Sequence, residues 1–113
     1  MPLTIVRTAE QPEYLHHEHH LFFVRDVIHG SDNSHMSLHR GRIEPNGEIT
    51  AHCHENMATV YILSGDVICT MNDEEARLGS GSCVVIPGNV VRSFNNCGDQ
   101  PVEMLLMFTP PLA

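Results

Sequence analysis

The sequence contains no lysine, and its positive charge comes from six arginines alone. Fourteen acidic residues outweigh these arginines and give a formal net charge of −8. Because lysine is missing, Schiff-base chemistry and any phosphate site that needs a lysine amine are excluded. An acidic chain without a basic cluster also repels phosphate groups and anionic lipid heads, so we expect neither nucleic acid nor a membrane as a partner.

Long hydrophobic runs are missing as well. No stretch approaches the roughly 20 apolar residues that a membrane-spanning helix needs, and residues 1–15 lack the basic-then-apolar pattern of a secretory signal. Hydrophobic side chains make up 42% of the 113 residues, which suits one folded core. These features predict a single domain, residues 1–113, in the cytoplasm.

Cysteine pairs of the C-x-x-C type are also absent, which argues against a zinc knuckle or a thioredoxin-type motif. Each cysteine lies within or beside an apolar run and is interpreted as a small buried side chain in a reducing compartment. The four positions are Cys53, Cys69, Cys83 and Cys97.

What the sequence does contain is a series of short apolar runs separated by turn residues such as EPNG, NDEE and PGN. No segment has a long apolar period of 3.6 residues, so we expect few helices. Dense turn residues between β-branched runs predict an all-β sandwich or barrel. The runs are LFFVRDVI, MSLHRGRI, ATVYIL, VICTM, SCVVI, VVRSF and VEMLLMF.

Strand alternation predicts which of the polar side chains share a face. His52 and His54 point the same way, while Cys53 points to the opposite side. In the run SHMSLHRGRI, the face that carries Arg40 and Arg42 is the exterior, which turns His39 inward. On a later strand, a second common face carries Arg92, Phe94 and Asn96.

Two spaced motifs lie on these runs. The first reads Gly47, His52, His54, Ala58 and Gly65, and the second reads Gly81, Pro87, Gly88, Arg92 and Asn96. Together they resemble the two motifs of the cupin superfamily. The resemblance implies a jelly-roll β-barrel of the double-stranded β-helix type. Residues 1–30 would then form an N-terminal arm and first strand, and residues 31–113 the barrel with both motifs.

The resemblance implies only half of a metal site. Cupins typically hold a metal with two histidines and a glutamate from the first motif and a histidine from the second. His52 and His54 match, but Ala58 replaces the glutamate and Arg92 replaces the last histidine. A guanidinium about 4 Å from a divalent ion is repelled by roughly 8 kcal/mol at an effective dielectric near 20. The ordinary site is therefore rebuilt or lost.

The sequence leaves three ways in which the site could have been rebuilt. Glu55 or Asn56 could add an oxygen ligand, or His39 could add a third imidazole, to hold one divalent transition metal such as zinc, iron, manganese or nickel. Alternatively, the pocket is free of metal, and Arg92 with the two motif histidines binds a small anion.

The role of the segment HHEHH also has two interpretations. If the segment is helical, its first and last histidines lie on one helix face and could bind a metal ion together. Alternatively, it is a solvent-exposed polar segment that leads into the first strand.

These alternatives lead to three functional hypotheses. The first is a barrel that binds a small polar or anionic molecule through Arg92, His52 and His54, with or without a metal. The second is a metal-dependent enzyme of the dioxygenase, isomerase or lyase type. The third is a metal-free sensor or structural module. Because several strands are apolar on both faces, we also expect a homodimer.

Overall fold

The computed structural model describes residues 3–113, and nine β-strands account for most of this span. Its one helical segment, within the described residues, is a 3-10 turn at Thr8–Glu10. The described residues contain no helix with the length and hydrophobicity of a membrane span. The strands are β1 (Glu13–Leu15), β2 (His20–Ile28), β3 (Ser37–His52), β4 (Met57–Ser64), β5 (Val67–Met71), β6 (Glu74–Leu78), β7 (Cys83–Ile86), β8 (Arg92–Asn96) and β9 (Val102–Thr109).

The strands pair in the order β6-β5-β8-β3-β9-β4-β7, and β2 adds to β3 on one side and to β1 on the other. All of these pairs are antiparallel. The first half of β3 pairs with β2 and β9, whereas its second half pairs with β8 and, at Glu48, with His20 of β2. The sheet therefore curls into a nearly closed barrel. This confirms the predicted all-β, jelly-roll fold.

One predicted turn is wrong. The residues EPNG lie inside β3, at the point where the strand changes partners. Asn46 has a φ of 68°, in the left-handed region, and Gly47 is buried against β2. A Cβ on Gly47 would lie 2.8 Å from the carbonyl oxygen of His20, so only glycine allows this approach. The turn-like residues bend a continuous strand instead of ending it.

Alternation along the strands fills the barrel interior. Along the first half of β3, Ser37, His39 and Ile43 are buried, while Arg40 and Arg42 are partly exposed. The predicted inward face is thereby confirmed. On β8, Arg92, Phe94 and Asn96 share a face, as expected, and that face is the buried one. The rest of the core is aliphatic and aromatic and includes Ile49, Val60, Ile62, Val67, Ile86, Val102 and Met104.

The interpretation of the cysteines holds for only one of them. Cys69 is buried in β5, whereas the other three thiols are exposed. Cys53 follows the end of β3, Cys83 lies on the exposed face of β7, and Cys97 follows β8. An apolar neighbourhood in sequence did not distinguish the inner face of a strand from its outer face.

Candidate functional site

A cavity of about 120 Å³ opens inside the barrel. Its walls are largely apolar, with side chains such as Val24, Val60, Ile86, Leu106 and Phe108. That volume holds several waters or one small organic molecule. Two groups of polar side chains interrupt the apolar wall. One consists of His16, His19, His52, His54 and Arg92, and the other of Tyr14, Asp26 and His39.

The ends of β3 and β8 bring the motif residues together. His52 and Arg92 are register partners on these neighbouring strands, so their side chains lie on one face. His54 follows two residues after the end of β3, and its carbonyl accepts the backbone N–H of Asn89 at 2.7 Å. Gly88 lets this loop approach, because a Cβ there would lie 2.3 Å from the carbonyl oxygen of Glu55. The loop places the His54 ring beside His52.

The two imidazoles face each other through one nitrogen apiece. The Nε2 atoms of His52 and His54 are 3.1 Å apart. His52 Nδ1 lies 2.7 Å from the carbonyl oxygen of Thr50. Because a carbonyl can only accept, Nδ1 carries the proton and Nε2 of His52 holds a lone pair. In the neutral pair, His54 donates its Nε2–H to that lone pair.

Burial keeps these rings neutral. Desolvation, followed by the nearby charge of Arg92, lowers the pKa of His54 to about 4. Desolvation also lowers the pKa of His52, against the opposing effect of its bond to Thr50. The pKa of His19 falls to about 4, again chiefly through burial. At neutral pH, His19, His52 and His54 therefore add no charge to the cavity.

Arg92 is the buried cation of the site. Its side chain is 3% exposed, and it donates to the carbonyl oxygen of Val90 at 3.2 Å. None of the ion pairs formed within residues 3–113 includes Arg92. Burial lowers the pKa of its guanidinium, but an arginine side chain stays protonated at neutral pH. The cavity wall thus carries a desolvated positive charge.

His39 lies in the second polar group. Its Nδ1 is 2.7 Å from Asp26 Oδ1, and its Nε2 is 2.9 Å from Ser37 Oγ. The hydroxyl of Tyr14 donates to the same Asp26 oxygen at 2.8 Å. The ring of Phe108 packs 5.5 Å from the rings of both His39 and His54. His39 therefore shares the cavity with the motif histidines, while both of its nitrogens are engaged elsewhere.

The loop after His54 directs its side chains away from the cavity. Glu55 is exposed and is not part of the cavity wall. Asn56 donates through Nδ2 to the carbonyl oxygen of Pro110 at 2.6 Å. Asn96, the last residue of the second motif, donates to the carbonyl oxygens of Ile43 and Gln100 and accepts from the backbone N–H of Gly98. Its role is to hold the turn after β8.

The HHEHH segment reaches the site in a way that the sequence did not indicate. It forms the turn between β1 and β2, not a helix. His16 and His19 line the cavity, while His17 and His20 are exposed. The ring of His19 lies 4.8 Å from that of His52 and 4.5 Å from that of His16. The expectation that this segment is a solvent-exposed approach to the first strand is therefore wrong for His16 and His19.

The ordinary cupin ligand set does not fit this chain. Ala58 is 1% exposed and presents only a methyl group, and Arg92 brings a cation to the position of the last histidine. Within residues 3–113, no three histidine, cysteine or carboxylate side chains are arranged to hold a metal ion. His52 and His54 alone form an incomplete ligand pair.

The nearly closed barrel and its internal cavity define a class, the small single-barrel jelly rolls. Within that class, the chain belongs to the Cupin domain family, whose sequence profile matches residues 39–108. The resemblance found in the two motifs is thereby confirmed. No protein with a curated description matches the chain in sequence.

Several solved structures share this fold. The polyketide cyclase RemF from Streptomyces resistomycificus has a TM-score of 0.85 at 19% identity, over 96% of this chain and 80% of that one. A predicted oxalate decarboxylase from Thermotoga maritima has a TM-score of 0.81 at 17% identity, over 95% and 99% of the two chains. An RmlC-like cupin from Shewanella frigidimarina has a TM-score of 0.81 at 11% identity, over 96% and 92%. At these identities the likeness establishes the fold alone.

Proposed function

We propose that this cupin binds a small organic anion, such as a carboxylate, in its cavity, with Arg92 as the anchor. The observation that carries this proposal is the buried guanidinium without an ion-pair partner among residues 3–113. A charge taken out of water is costly unless an opposite charge meets it. The planar fork of arginine matches a carboxylate through two parallel hydrogen bonds.

The surroundings of Arg92 support a ligand with a short hydrocarbon part. Apolar side chains such as Ile86 and Leu106 form most of the cavity wall. The neutral rings of His52 and His54 add polar atoms without adding charge. A small carboxylate would therefore bury its apolar atoms against the wall and present its charge to Arg92.

Titration with sodium malonate, followed by NMR, tests this proposal. We expect saturable binding to the wild type and more than a tenfold loss of affinity in Arg92→Gln, because a desolvated charge pair is broken. Arg77→Gln is the matched control, since Arg77 is exposed on β6, and it should bind malonate as the wild type does. The proposal fails if the wild type binds neither malonate nor acetate, or if Arg92→Gln keeps the affinity.

A second candidate function is metal-dependent chemistry of the dioxygenase, isomerase or lyase type. The 3.1 Å approach of two Nε2 atoms favours it, together with the Nδ1–H of His52 fixed on a carbonyl, which is how metal-binding histidines are commonly oriented. Zinc, iron, manganese or nickel would supply Lewis-acid polarisation of a substrate oxygen. A third ligand would require His39 to release Asp26 or Ser37, or Glu55 to turn inward.

Elemental analysis of protein purified without added metal separates the two candidates. Near-stoichiometric metal that is lost in His52→Ala/His54→Ala would favour the metal-dependent function. Trace metal together with malonate binding that depends on Arg92 would favour the anion-binding function. His17→Ala/His20→Ala is the control, because both of these histidines are exposed.

We further propose that two copies pair through the outer face of β4 and β7. Met57, Tyr61 and Val85 are 46%, 39% and 54% exposed there, so this face leaves apolar area in water. We place the protein in the cytoplasm, because three exposed free thiols suit a reducing compartment.

A further inference from the structure

We propose that His19 is a second anion-binding residue of the cavity and that it donates a hydrogen bond from Nε2 to the ligand held by Arg92. This inference rests on the proposed anion-binding function and deepens it. His19 lies in the turn between β1 and β2, outside both cupin motifs. Its ring lines the cavity that Arg92 also lines and packs 4.8 Å from the ring of His52.

The register of β2 and β3 places His19 beside Thr50. His20 is the partner of Glu48, so the turn lies along the second half of β3. The hydroxyl of Thr50 donates to the carbonyl oxygen of Glu18 at 3.0 Å, and its backbone N–H donates to Nδ1 of His19 at 3.0 Å. The turn is therefore fixed at two points on one residue of the barrel.

The bond from Thr50 determines the tautomer of His19. A backbone N–H can only donate, so Nδ1 of His19 must hold a lone pair. The neutral ring then carries its proton on Nε2. This N–H has no hydrogen-bond partner among residues 3–113. A donor without a partner on the wall of a cavity suits an anionic ligand, and it does not suit a metal ion, which needs a lone pair.

Thr50 sets opposite tautomers in two neighbouring rings. Its N–H leaves His19 with a proton on Nε2, whereas its carbonyl leaves His52 with a lone pair on Nε2. Arg92 and His19 both line the cavity and flank His52, Arg92 from β8 and His19 from the turn before β2, so the cavity offers a carboxylate one charge and one N–H. The Nε2 lone pair of His52 accepts the Nε2–H of His54, so His52 does not offer this atom to the ligand.

The wild-type protein tests the tautomer directly. Long-range ¹H–¹⁵N NMR of the histidine rings should show His19 with a bare Nδ1 and a protonated Nε2 at neutral pH. Sodium malonate should then shift the Nε2 signal of His19 more than its Nδ1 signal. A proton on Nδ1, or a His19 ring that does not respond to saturating malonate, would overturn the inference. A merely structural role for His19 predicts no such selective shift.

Affinity measurements with variants complete the test. His19→Phe removes the donor and should weaken malonate binding about tenfold, as expected for a hydrogen bond to a charged group. His17→Phe is the matched control on the exposed side of the turn and should change the affinity less than about twofold. Equal affinities for wild type and His19→Phe, with binding still lost in Arg92→Gln, would refute the role of His19 alone. Absence of malonate binding to the wild type would refute the anion-binding function as well.

Discussion

At the scale of single residues, the site depends on a cation that no acidic side chain among residues 3–113 neutralises. Arg92 is 3% exposed, and its one hydrogen bond within the described residues goes to the carbonyl oxygen of Val90. A buried charge of this kind destabilises the free protein and is retained where a ligand needs it. Stability and binding should therefore respond in opposite directions when this side chain changes.

The substitution Arg92→Met tests this opposition. Methionine keeps much of the volume and removes the charge, so we expect the free energy of unfolding to rise by about 1 kcal/mol or more. Binding of malonate should disappear at the same time. Urea denaturation and the NMR titration measure the two effects, with Arg77→Met as the exposed control. A marked loss of stability in Arg92→Met would mean that the charge is already compensated within the protein.

The neutral histidines predict how stability depends on pH. Burial lowers the pKa values of His19 and His54 to about 4, below the ordinary value of 6.5. Between pH 6.5 and pH 4, the unfolded chain binds protons that the folded chain excludes. The free energy of unfolding therefore has its full value above pH 6.5, as far as these two histidines are concerned, and it decreases as the pH falls towards 4. Melting temperatures between pH 7 and pH 4 should follow this decline.

A variant isolates the contribution of one ring. In His54→Gln the decrease in melting temperature over the same interval should be smaller by a few degrees, whereas His17→Gln should match the wild type. An unchanged pH dependence in His54→Gln would show that this ring is not a buried neutral group.

Sequence reasoning located some of these residues and missed others for identifiable reasons. Strand alternation turned His39 inward, and the motif resemblance put Arg92 at the pocket; both side chains are buried. Alternation also put His52 and His54 on one side, and their rings meet in the cavity. His19 was missed because its position beside Thr50 follows from the register of β2 on β3. A turn of four histidines has no periodicity from which that register could be predicted.

At the scale of elements, β3 and the loop after it position the site. β3 carries His39 on its first half and His52 on its second half, because it bends across both parts of the barrel. The runs of alternating apolar residues predicted most strands. They did not predict β6, because Glu74–Leu78 is an edge strand with no buried residue and reads as a polar turn.

The loop that carries His54 depends on a glycine of the second motif. A Cβ on Gly88 would lie 2.3 Å from the backbone oxygen of Glu55, so Gly88→Ala should push this loop away from the barrel. We expect a destabilisation of roughly 1–3 kcal/mol in urea denaturation and weaker malonate binding. Gly79→Ala is the control, because its nearest atom would be 3.8 Å away. Equal effects of the two substitutions would contradict this role of Gly88.

At the scale of the whole molecule, the apolar side chains on the outside of β4 and β7 are predicted to be covered by a second copy. Light scattering of the purified protein should give about twice the 12.6 kDa mass of one chain. Tyr61→Glu should give the mass of a monomer, because a charge would enter an apolar interface. Arg77→Glu on β6 is the control and should leave the dimer intact. A wild-type monomer at micromolar concentration would refute the pairing.

A crystal structure of the protein grown with malonate shows whether the barrel encloses an anion on Arg92. We expect a malonate carboxylate in the cavity, within hydrogen-bond distance of the guanidinium of Arg92. Malonate found only outside the cavity, or an Arg92 side chain that extends into bulk solvent, would contradict it.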